Sequence, residues 1–156
     1  MKKETVSYSI DATNKKDNIF YTSIVVLVIY YLAASNGGRG WYWFKEQDKV
    51  INESEFYKAL HELFPIWLWG FMLLIVAVLY VLGGATFYRI DVSNAPLYLI
   101  LIAGVIGGTF HFLLVSASVL NAINYVTPWN LAWLTILMYS LSILAGYKIY
   151  DRKRNK

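Results

Sequence analysis

One ionisable side chain interrupts a long uncharged stretch: His111, within LYLILIAGVIGGTFHFLLVSASVL from Leu97 to Leu120. Gly104, Gly107 and Gly108 precede it by seven, four and three residues, so all four share one face of a helix. Gly104 and Gly108 form a GxxxG, and small residues at that spacing let a second helix approach closely. This face is therefore expected to be a helix-packing face, with the imidazole pointing into the contact rather than into lipid. An ionisable group inside a membrane is also a functional candidate by default. Imidazole can ligate haem iron, relay a proton or contact a quinone. The simpler role is a hydrogen bond across the helix contact. Counting from the span ends places Tyr30 and Thr135 at a similar depth, with Tyr139 one turn deeper, and each offers a hydroxyl.

Two further groups can carry chemistry. His61 and Glu62 precede the second apolar span, but the pair lacks the second histidine of HExxH. Counting along the helices puts His61 and His111 roughly ten residues, or ~15 Å, apart in depth. That is too far for two ligands of one iron, and no metal site is expected. Arg39 introduces WYWF, the four aromatics Trp41, Tyr42, Trp43 and Phe44. Such a segment suits the headgroup level of a bilayer. Because aromatics and Arg dominate binding hot spots, Arg39, Trp41, Tyr42, Trp43, Phe44, His61 and Glu62 also form a candidate docking surface for a partner subunit.

The elements that must position these residues follow from hydropathy. The 156-residue chain is 58% hydrophobic and only 15% charged, with mean hydropathy +0.45, where soluble domains carry roughly 25% charged residues. It reads as a single all-α membrane domain, residues 1–156, with four transmembrane spans at about 19–34, 64–85, 97–120 and 129–147. Ala33-Ala34-Ser35 resembles a signal-peptide cleavage site, but the preceding polar region is long and partly acidic, so the first span is expected to be retained. SNGGRG after it reads as a helix-breaking turn. The outer loop, 35–63, then holds a short amphipathic helix over SEFYKALHELF, capped by Ser54, with Phe56, Leu60 and Leu63 as its apolar stripe. Pro65 marks a kink or a helix restart, and Pro96 and Pro128 open helices.

Ten of the fourteen basic residues fall on one side of this arrangement, at the two ends of the chain and Arg89. The positive-inside rule then gives cytoplasmic N and C termini in the cell membrane, with the basic tail as a topology determinant. All six tryptophans fall near the opposite, outer boundary and form an aromatic belt. Basic residues placed this way reflect topology, and no nucleic-acid partner is expected. The chain has no cysteine, so thiolate chemistry is excluded. No span contains a carboxylate, so no catalytic constellation can be assembled within the chain. The expected function is a non-catalytic accessory subunit of a larger membrane complex. One alternative is a redox subunit in which His111 helps hold haem b or quinone together with partner chains, since this chain alone predicts no cofactor. Another is a small oligomeric pore or carrier, including a phage-type lysis pore, although uncharged spans make a poor ion path.

Overall fold

A computed structural model describes the backbone of residues 2–121 and 124–155 and the side chains of 19–119 and 124–155. Those residues form helices α1 (Lys2–Lys45), α2 (Gln47–Glu53), α3 (Glu55–Leu63), α4 (Ile66–Ala85), α5 (Ala95–Asn121) and α6 (Val126–Arg154), with a 3-10 turn at Phe87–Arg89. Four stretches are long and apolar enough to cross a membrane: Ile19–Lys45, Ile66–Ala85, Ala95–Val119 and Val126–Arg154. This is a multi-pass, all-helical membrane protein.

The largest departure from expectation is in α1. The chain does not turn at SNGGRG: Ser35 to Gly40 are helical, and so is WYWF behind them. In lipid no water can satisfy a freed backbone N–H or C=O, so a helix persists through glycines that would end it in a soluble protein. The first span consequently ends at Lys45 instead of 34, and Arg39 lies inside it. The connection to α4 is correspondingly shorter. Ser54 stands at the start of α3 in extended conformation, φ −163° and ψ 159°, but its hydroxyl makes no capping bond. Of the expected apolar stripe, Phe56 and Leu60 are buried and Leu63 is exposed. Pro65 does restart the helix, with its carbonyl accepting from Leu68 N–H at 2.9 Å.

Helix α1 packs along α4 and α5 along α6, and α4–α5 contacts join the two pairs. Glycines set both close approaches. A Cβ on Gly40 would stand 2.7 Å from the Gly70 carbonyl oxygen, and one on Gly70 would stand 2.6 Å from the Gly40 carbonyl oxygen. The two backbones are in direct contact there, and a larger residue at either position would force the helices to shift. A Cβ on Gly104 would stand 2.6 Å from the Met138 carbonyl oxygen and one on Gly108 would stand 2.9 Å from the Tyr139 ring, so the GxxxG seats α6. Ser142 adds a hydrogen bond from its hydroxyl to the Leu101 carbonyl at 3.0 Å.

Two apolar clusters fill the interior. One, around Ile29, Leu32, Val76, Tyr80, Ile100, Ala103 and Met138, occupies the middle of the bundle and the end nearer the C terminus. The other, around Trp43, Phe56, Leu60, Ile66, Trp69, Leu73, Leu114 and Leu131, binds α2 and α3 onto the opposite end. All six tryptophans lie at that second end. Trp43 and Trp69 are core residues, and Trp41, Trp67, Trp129 and Trp133 are exposed on its perimeter. Trp69 Nε1–H donates to the Leu60 and Phe64 carbonyls at 3.2 and 3.1 Å, tying α3 to α4. At the other end Arg152 donates to the Ile90 carbonyl and to Asn94 Oδ1. The basic tail is thus helical and partly tied to the 90–94 loop.

Replacing Gly40 or Gly70 with Ala should destabilise the bundle by about 1–3 kcal/mol, the usual cost of overpacking. Gly38 has open space where its Cβ would lie, so Gly38→Ala should stabilise by about 0.5–1 kcal/mol through helix propensity alone. Thermal unfolding of the three variants in detergent, followed by circular dichroism, checks both signs.

Candidate functional site

The extension of α1 brings Arg39 against His111. Arg39 Nη1 lies 3.4 Å from His111 Nε2, and His111 Nδ1 lies 3.0 Å from the Gly107 carbonyl oxygen. A guanidinium has no acceptor to offer. The pair therefore works with Nε2 accepting from Arg39 and the ring proton on Nδ1 donating to Gly107. This leaves the histidine neutral beside a fixed positive charge. His111 itself is 1% exposed.

None of the expected hydroxyl partners is bonded to His111. Thr135 donates to the Leu131 carbonyl at 2.8 Å, the Tyr139 hydroxyl is 3.1 Å from Thr109 Oγ1, and the Tyr30 ring faces Gly84. The reason is geometric: a straight α1 carries a longer, charged donor to the imidazole. Within the face expected to act together, Gly104 and Gly108 turn to α6 and Gly107 lies between Val76 and Met138. His111 at its end meets α1. The histidine does sit at a helix contact, but with a different helix from the one its glycines seat.

The expected docking surface does not hold together as one patch. Trp43 is buried, and the Tyr42 hydroxyl donates to Glu53 Oε1, leaving Trp41 and Phe44 as the exposed aromatics of WYWF. His61 Nδ1 faces the Ile66 N–H at 3.4 Å, across Pro65, where it serves the start of α4. Glu62 is exposed. Among the described residues no group of three His, Asp or Glu side chains could hold a metal ion.

Around the Arg39–His111 pair lies a polar layer that the sequence did not single out. Asn36, one turn before Arg39, is 1% exposed, and its Nδ2 donates to the Leu32 carbonyl at 2.7 Å. Its Oδ1 has no hydrogen-bond partner. Tyr57 of α3 packs against the apolar cluster at the same end of the bundle. Burial, then the Glu53 carboxylate, holds the Tyr57 phenol above its ordinary pKa, and Arg39 pulls it the other way. The phenol is therefore protonated throughout the neutral range. Its ring meets Trp43 edge-on, centroids 5.7 Å apart. Asn36 at i−3 from Arg39 was the available signal, hidden because the segment reads as a turn.

Compared with protein families, curated proteins and solved structures, the chain matches none. Its chemistry must be read from its own geometry. That geometry makes the Arg39–His111 contact a link between α1 and α5, two helices with little other direct backbone contact.

A double-mutant cycle with Arg39→Gln and His111→Leu should reveal a coupling of about 0.5–1.5 kcal/mol, the range for polar pairs between membrane helices. Additive single-variant effects in detergent unfolding would show that the two side chains do not support one another.

Proposed function

We propose that this chain is a non-catalytic structural subunit of a larger membrane assembly, with both termini on the cytoplasmic side of the cell membrane. The observation that carries this reading is the direction of the His111 ring. Nδ1 faces its own helix and Nε2 faces Arg39, so the imidazole is committed to holding helices together. A haem or metal reading would require Nε2 to leave the guanidinium and bind a cation beside it, against charge repulsion. A pore reading finds little support in the middle of the bundle. The core there is apolar from Leu32 to Ile149, and the Thr135 and Ser142 hydroxyls are spent on carbonyls. The basic residues at the chain ends and the exposed tryptophans at the opposite end agree with cytoplasmic termini.

The glycine face of α5 is filled internally, so a partner must use another surface. The lipid-facing flank between α1 and α4 carries an apolar groove of about 570 Å³ lined by Tyr30, Ala33, Ala34, Gly37, Ala77 and Val81, among others. Small residues on that flank permit close approach of a further helix. The aromatic docking role is reduced to exposed Trp41 and Phe44 beside it.

Purification from native membranes in mild detergent should recover the chain with other membrane subunits and without a visible absorption band. Ala34→Phe should release those subunits while leaving the thermal midpoint of the isolated chain unchanged. Elution of the wild-type chain alone, or a Soret band lost in His111→Leu, would overturn the proposal.

A further inference from the structure

Arg39 is a cation placed inside a membrane span with almost nothing to answer its charge. Among the described residues it forms no ion pair, and its one hydrogen-bond contact is the 3.4 Å approach to neutral His111. A guanidinium carries five N–H donors in a planar fork. The carboxylates that follow it do not answer it: among the described residues neither Glu46 nor Asp48 forms an ion pair, Glu53 accepts from Tyr42, and Glu55 pairs with Lys58 at 2.7 Å. Leaving such a charge unpaired in hydrocarbon is costly, and arginines near span ends reduce the cost by reaching for the interface.

The surroundings indicate what lies at that level. Trp41 follows Arg39 by two residues, about 3 Å along the helix axis. Trp41, Trp67, Trp129 and Trp133 are exposed around the same end of the bundle. Exposed tryptophans gather at the headgroup boundary, so the flank of Arg39 lies just beneath a layer of phosphodiesters. Planar, bidentate recognition of phosphate is what a guanidinium does best.

We infer that Arg39, beside His111 and beneath the tryptophan girdle, binds the phosphate of an anionic phospholipid headgroup at that end of the bundle. The lipid phosphate is favoured over a partner's carboxylate because it is present at this depth in every membrane and needs no second charge to be carried into the bilayer. His111 then has a second consequence: by accepting from one Arg39 N–H it orients the fork while leaving the other donors free. This inference is independent of whether the chain works within a larger assembly.

The test uses the full chain in mild detergent with equimolar phosphatidylglycerol and phosphatidylcholine of identical acyl chains, with bound lipid counted by native mass spectrometry. Wild type should retain phosphatidylglycerol preferentially, and Arg39→Gln should lose about fivefold of that preference, the equivalent of about 1 kcal/mol for one basic residue near anionic lipid. Arg39→Lys, which keeps the charge but not the fork, should recover most of it, and Arg154→Gln at the far end of α6 should leave the Arg39-dependent part intact. Inorganic phosphate at matched ionic strength should not displace the lipid; displacement would overturn the proposal in favour of a free anion. Should Arg39→Gln fail to fold, phosphatidylglycerol with a photoreactive headgroup, applied to the wild type, should label peptides spanning residues 31–58. Labelling confined to the end bearing Lys148 to Arg154 would overturn it. Equal retention of the two lipids by wild type would also overturn it.

Discussion

A peptide group in hydrocarbon has no solvent to turn to, and most of this structure depends on that fact. Where water is present, Asn36-Gly37-Gly38-Arg39-Gly40 would end a helix, since three glycines gain entropy by fraying and their amides are satisfied by solvent. Inside a bilayer each broken backbone bond costs several kcal/mol, far more than the roughly 1 kcal/mol per glycine that propensity withholds. The helix continues to Lys45. Every feature of the tryptophan-rich end then follows. Gly40 is aligned with Gly70, Trp43 reaches the core, and Arg39 is carried alongside α5.

Glycine contributes twice, through opposite effects. It weakens α1 locally, and it allows α1 and α4 to touch backbone to backbone at Gly40 and Gly70. In lipid, helices gain little by hiding apolar surface from one another, so close packing and polar contacts must supply the association. The same trade recurs at Gly104 and Gly108 against α6. Between these two tightly seated pairs, α4 and α5 pack side by side. The Arg39–His111 contact spans the remaining gap between α1 and α5. A polar link suits that place because it holds at a separation where glycine-mediated contact is not available.

The four spans were legible because a run of twenty apolar residues leaves few alternatives, and α4 and α5 agree with expectation to within two residues at either end. Pro65 and Pro96 were legible too, since a missing N–H acts locally in any solvent. What failed was punctuation learned from soluble proteins. Reading SNGGRG as a turn moved Arg39 and WYWF out of the span and grouped them as a surface. That grouping hid Asn36 and assigned His111 to hydroxyl partners on other helices. The placement of His111 at a helix contact rested on α5 alone, through its spacing from Gly104, Gly107 and Gly108, and owed nothing to where α1 ends.

Why the chain keeps a charge there is a question of depth. Replacing a buried ionic group with apolar residues is often neutral or stabilising, so a midplane arginine that only packed would be hard to explain. Arg39 stands two residues from exposed Trp41, and its guanidinium lies against α5 at His111. At that level the desolvation cost falls and the attraction to any nearby anion is still weakly screened. A neutral histidine is the fitting neighbour: its Nε2 accepts one N–H without neutralising the guanidinium, whereas a carboxylate would consume the charge. Two acids of the connection, Glu53 and Glu55, are held by Tyr42 and Lys58 rather than by Arg39. The helix end keeps a cation beside α5, and the His111 contact orients that cation without cancelling it.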